Sequence, residues 1–225
     1  MIACEKNNIG PSANVTIQEA NVSDFTGLEV SSAFVVDVTF STDEDRVEIE
    51  ANSNLHQYIE VTKVGNNLRI QIKNNTNFRG NTTLKAHIIT SNPLNYIAAA
   101  GACNIGFKNK LVTNDLEVSL SGASHLIGET EANTITAYVE GASGLNLTGQ
   151  AGRISADLTG ASQISGFEMI AGEINLIMEG ACQAGLTVND IINLDADGAS
   201  VLSYKGNAFI DRLQLTGGSQ IVKVD

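Results

Sequence analysis

Five carboxylates punctuate the second half of this 225-residue chain: Glu140, Asp157, Glu179, Asp195 and Asp197. Each stands one or three residues before a glycine, at positions that alternate with apolar residues. In a strand, alternate side chains face opposite ways, so these carboxylates point outward. In register, Glu179 and Asp197 fall on adjacent strands, and Asp195 shares the strand with Asp197. Carboxylates about 5 Å apart at strand spacing are the hard oxygen donors that Ca²⁺ takes. Glu179, Asp195 and Asp197 are therefore the metal candidates, and beyond Ca²⁺ no cofactor is expected. The same pair could act as acid and base on a sugar, or simply form a solvated face that deters sheet association. Tyr138 shares the face and offers a ring for a sugar to stack on.

Other chemistry is poorly supported. A Gly-Ala-Ser triplet suggests a nucleophile, but the strained hydrolase elbow is Gly-x-Ser-x-Gly, and no copy here has the final glycine. His56, His87 and His125 have no partner at ligand spacing. No Gly-x-Gly-x-x-Gly or other phosphate loop is present. No catalytic residue is expected.

The elements that position the carboxylates follow from the triplet itself. Gly101-Ala102-Cys103, Gly122-Ala123-Ser124, Gly141-Ala142-Ser143, Gly160-Ala161-Ser162, Gly180-Ala181-Cys182, Gly198-Ala199-Ser200 and Gly217-Gly218-Ser219 recur at intervals of 21, 19, 19, 20, 18 and 19 residues. A fixed period near 20 residues is the signature of a solenoid. Before each glycine, apolar residues alternate, as in Leu116, Val118 and Leu120, or Ile174, Leu176 and Met178. Period-two alternation is a half-buried strand, and copies in phase stack into one core. Glycine supplies the turn between sheets; the small Ala and Ser/Cys are expected to fill the crowded inside of that corner. A second short strand follows, led by Leu126, Leu145, Ile164, Ala184, Leu202 and Ile221. The expected fold is all-β: a right-handed parallel β-helix with ~19-residue rungs over 98–225, preceded by a less regular strand-rich region over 14–97. Its strands are expected at 34–40, 46–50, 58–64, 68–73 and 84–90, with a tight hairpin at Val64-Gly65-Asn66-Asn67-Leu68. This region caps the helix or forms its first irregular rungs. The last rung, 221–224, looks poorly capped: either Lys223 and Asp225 discourage edge pairing, or another protomer covers it.

Cys103 and Cys182 hold the third place of the triplet four repeats apart, roughly 19 Å at strand spacing, too far for a disulfide. They stand in for serine. Cys4 differs: Met1-Ile2-Ala3-Cys4, followed by polar Glu5-Lys6-Asn7-Asn8, resembles the tail of a bacterial lipoprotein signal without its apolar region. Cys4 is the candidate lipidation site, on a tether spanning 1–13, and a membrane is expected to be met only through that anchor.

The net charge is −12, divided as 11 acidic and 7 basic residues in 1–97 and 14 and 6 in 98–225. An anionic surface without a basic stripe excludes nucleic acid as a partner. No apolar run approaches the roughly 18 residues of a membrane span.

The chain resembles the putative auto-transporter adhesin family with the head GIN domain. The resemblance covers roughly residues 14–225. It is carried by Val118-Ser119-Leu120-Ser121-Gly122-Ala123-Ser124, by Ala156-Asp157-Leu158-Thr159-Gly160-Ala161-Ser162, and by the lead-in Asn92-Pro93-Leu94-Asn95-Tyr96-Ile97. It implies a β-helix on the cell envelope, outside the cytoplasm, with adhesion as its role and no catalytic or binding residues to carry over. The leading expectation is a non-enzymatic envelope binding module whose partners are host or envelope glycans or proteins. Alternatives are a polysaccharide-acting β-helix enzyme, for which Arg153 and Lys205 are nearly the only basic groups in the middle rungs, and a structural protein that forms homo-oligomers through its open end.

Overall fold

The computed structural model describes residues 7–225; apart from one short 3-10 turn at His56–Tyr58, its regular elements are all strands. Cys4 lies outside the described residues. Two parallel sheets face each other across an apolar interior. In the first, Tyr96–Ala100 pairs with Gly27–Ser31 on one side and with the end of Leu111–Leu120 on the other. Successive coils then add the ends of His125–Val139, Gly144–Gly160, Met169–Gly180 and Gln183–Gly198, and finally Phe209–Leu215. The second sheet stacks Val35–Phe40, Asn104–Phe107 and the starts of the long strands, up to Gln220–Lys223. The expected β-solenoid is the observed fold.

The corner between the sheets is the triplet, and it explains the glycine. Gly122, Gly141, Gly160, Gly180, Gly198 and Gly217 all have φ between 65° and 107°. Each also lies against the carbonyl oxygen of the glycine one coil earlier, which accepts a hydrogen bond from the next residue, as Ala161 N–H donates to Gly141 at 2.8 Å. Both the backbone twist and the close approach exclude a side chain. The third residue points inward: Ser124, Ser143, Ser162, Ser200, Cys103 and Cys182 are buried. The amide of Ser124 donates to Ser143 Oγ at 3.2 Å, and that of Cys182 to Ser200 Oγ at 3.3 Å. Both cysteines are unpaired thiols, and burial pushes the Cys103 thiol up. The middle residue corrects the expectation: Ala123, Ala142, Ala161, Ala181 and Ala199 are exposed. The chain reverses so sharply at glycine that the next Cβ points to solvent, and only the third residue enters the corner.

One apolar core runs from Phe25 to Tyr204, so the strand-rich first half shares it with the regular coils. The coils of that half are stacked out of sequence order. Gly27–Ser31 and Val35–Phe40 lie between Asn67–Ile72 and Leu84–Thr90 on one side and Tyr96–Ala100 and Asn104–Phe107 on the other. Antiparallel strands close the bottom: Ile59–Val64 against Asn67–Ile72 through the expected hairpin, and Arg46–Asn52 between Leu84–Thr90 and Val15–Ala20. The corner at residues 31–34 lacks the glycine; Ser32 and Ala33 take φ of 75° and 62° instead. The expected tether is tied down from residue 7, because Asn7–Ile9 pairs with Thr76–Phe78 and Ser12 N–H donates to Asn54 Oδ1. On the last coil the inward Leu213 and Leu215 are 47% and 37% exposed.

Candidate functional site

The expected carboxylates decorate the outward face of the first sheet. In register, Tyr138 neighbours Asp157, Asp157 neighbours Ile177, and Ile177 neighbours Asp195. Glu179 lies beside Asp197, as its spacing required. Glu140 falls just past its strand, its amide donating to Leu120 O at 2.8 Å. The structure thus joins Glu179 to Asp197 but separates Asp157 from Asp195 by an isoleucine.

Protein donors already engage two of the three metal candidates. Asp197 Oδ1 accepts from Thr216 Oγ1 at 2.6 Å and from the Gly198 amide at 2.7 Å; these bonds, Thr216 first, hold its carboxyl below the ordinary value. Asp195 pairs with Arg212 at 3.0 Å. Among the described residues, no three His, Cys, Asp or Glu side chains converge as a metal cluster.

Three hollows indent this face; the middle one, of about 360 Å³, lies among Tyr96, Asp115, Glu117, Thr134 and Thr136. Toward the C-terminal end, Asp157, Asn175, Ile177, Asn193, Asp195 and Arg212 surround a volume of about 230 Å³. Asn193 donates to Asn175 at 2.9 Å, and Asn175 to Glu173 at 3.0 Å, so the amides form a fixed ladder across coils. At the other end, Glu29, Arg69, Tyr96, Ala98 and Ser119 surround about 260 Å³. Glu29 takes hydrogen bonds from Asn67 and from Arg69 Nε, each at 2.7 Å. Burial alone would raise Glu29; the bonds from Asn67 and Arg69 outweigh it and hold the carboxyl below its ordinary value. Burial, then the Glu29 and Glu117 carboxylates, push the Tyr96 phenol up.

The sequence did not single out this last hollow. Its lining comes from four strands stacked out of chain order, and the one available signal was Tyr96 at an outward position just before Ile97.

A family profile described as "Putative auto-transporter adhesin, head GIN domain" matches residues 24–208. The chain belongs to that family. No curated protein matches it in sequence. Among solved structures it is similar to a "putative adhesin" from Bacteroides fragilis, at 20% identity and a TM-score of 0.88, over 96% of this chain and all of that one. It also resembles a "putative lipid binding protein" from Parabacteroides distasonis, at 16% identity and a TM-score of 0.79, over 97% and 100%. A third, a "putative adhesin" from Parabacteroides merdae, shares 17% identity at a TM-score of 0.76, over 97% and 99%. At these identities the likeness shows the fold.

Within this family member, the basic groups of the middle coils are occupied. Arg153 pairs with Glu173 at 2.8 Å, and Lys205 Nζ lies 5.3 Å from the centre of the Phe167 ring. His87 bridges Glu50 at 3.1 Å on the other sheet, and His56 meets Thr16 at the closed end. The outward face can offer hydrogen bonds and stacking; its arginines Arg69, Arg153 and Arg212 are held by Glu29, Glu173 and Asp195.

Proposed function

We propose that the chain is a non-enzymatic binding module of the cell envelope, an adhesin that engages glycans or proteins through the outward face of its first sheet. The observation that carries this reading is the row of hollows on one face, with wall groups such as Glu29, Arg69, Asn175 and Arg212 held in place by their neighbours. Such walls are rigid and offer their remaining donors and acceptors to a ligand at little entropic cost. The basic groups expected of a polysaccharide-acting enzyme, Arg153 and Lys205, are engaged by Glu173 and by the Phe167 ring. Lipidation at Cys4 would hold the domain at a membrane face.

The test is a glycan and matrix-protein binding screen on the soluble domain, with and without Ca²⁺. Saturable binding without chain cleavage is expected. Release of shortened polysaccharide, or no binding to any partner, would overturn the reading. Self-assembly is the second reading, carried by the exposed Leu213 and Leu215. Mass that rises with concentration in light scattering would support it, and a strict monomer would end it.

A further inference from the structure

The hollow around Tyr96 differs from the rest of the face in its floor. Ala98 and Ser119 are register neighbours there, where the same row continues as Tyr138, Asp157 and Ile177. Small side chains bounded by large ones leave a depression. Its walls are locked: Glu29 holds Asn67 and Arg69, and Gln71 Nε2 donates to Glu60 at 2.8 Å. Asn67 can lie across the neighbouring strand only because residue 27 is glycine; a Cβ there would collide with its amide oxygen.

The chemistry of the walls selects a class of ligand. Glu29 neutralises Arg69 at 2.7 Å, and Glu117 stands beside Tyr96 in register. No net positive charge is left to hold a phosphate, a sulfate or a uronic acid. What remains is an aromatic ring edged by hydroxyls and an amide, which matches a ligand with an apolar C–H face and a hydroxyl rim. The 260 Å³ hollow is small and open beside the roughly 300–1,000 Å³ of enclosed small-molecule pockets. That suits the end of a chain.

We infer that the hollow walled by Tyr96, Glu29, Arg69 and Gln71, over Ala98 and Ser119, binds the terminal unit of a neutral glycan. This rests on the reading of the face as a binding surface and adds its ligand class. Binding is read by titration calorimetry, which does not depend on Tyr96 as a reporter.

The soluble protein is titrated with cello-, malto- and manno-oligosaccharides and with oligogalacturonate as the charged counterpart. At least one neutral series should bind, with oligogalacturonate about tenfold weaker or more. Tyr96→Ala and Ala98→Leu should each weaken that binding about tenfold, while Gln183→Ala, exposed on the other sheet, leaves it nearly unchanged. Thermal melts confirm that each variant folds. Absence of neutral-glycan binding, equal binding of oligogalacturonate, or binding indifferent to both Tyr96→Ala and Ala98→Leu overturns the inference. Should binding instead fall with Asp195→Asn, the binding-module reading survives without this hollow. Should the protein bind neither these sugars nor any partner in the wider screen, both fall.

Discussion

A Cβ placed on Gly160 would sit 2.8 Å from the carbonyl oxygen of Gly141, the same oxygen that accepts the Ala161 amide at 2.8 Å. The contact recurs up the corner and couples each coil to the one before it. Gly160 also has φ of 80°. Gly160→Ala should therefore destabilise by about 2 kcal/mol or more, from left-handed strain and from the blocked approach. Urea unfolding measures it. By contrast, Ala33 already holds φ of 62° where the glycine is missing, and Ala33→Gly should stabilise by about 0.5–1 kcal/mol.

The buried and exposed places of the triplet should respond in opposite ways. Ser143→Ala removes the acceptor for the Ser124 amide and should cost about 1–3 kcal/mol. Ser143→Cys should be milder, since Cys103 and Cys182 occupy equivalent places. Ala161→Leu, on the exposed place between them, should stay within about 0.5 kcal/mol. Denaturant midpoints for the three variants separate these outcomes.

Acid should weaken the fold through carboxyls held low by their partners, Glu29 and Glu50 among them. Hydrogen bonds from His87 and then Lys85 hold Glu50 below its ordinary value, and Glu29 is held low despite burial by Asn67 and Arg69. A depressed folded value means the stabilisation is fully present above the ordinary carboxylate range, about 4.3, and is lost as pH falls through the folded value. Stability measured from neutral to acid pH should fall below that range. Glu29→Gln and Glu50→Gln should each flatten the acid limb.

Calcium should leave the fold unmoved. Of the three metal candidates, Glu179 and Asp197 are the register neighbours, and Asp197 already accepts from Thr216 and Gly198. An ion bound at a hundred times its Kd would add about 2.7 kcal/mol. The expected thermal shift with excess Ca²⁺ is none.

The legible parts of the sequence were those that repeat. Leu116, Val118 and Leu120 alternate in phase with Gly122, and that alone placed strand, corner and core. The hairpin at Gly65-Asn66 was equally plain, because two-residue turns have a strong local signature. Stacking order in the first half was hidden: Gly27–Ser31 reaches its neighbours at Asn67–Ile72 and Tyr96–Ala100 across long separations, and its corner carries Ser32-Ala33 in place of glycine. The orientation of Ala161 was hidden too, since a small residue suits either side of a bend. Among the outward residues, Glu179 and Asp197 were found together because they sit at equal distances from their glycines. Glu29, Arg69 and Tyr96 share no such reference, so their hollow emerged only from the packed coils.

The most direct test of the binding face is to mask it. Ser155→Arg places a long cation in the C-terminal hollow and Ser119→Arg one in the Tyr96 hollow, whereas Gln183→Arg places one on the exposed surface of the other sheet. Against whichever partner the screen identifies, binding should be lost on masking the first sheet and kept on masking the second. Binding lost only with Gln183→Arg, or kept in all three variants, would contradict the account.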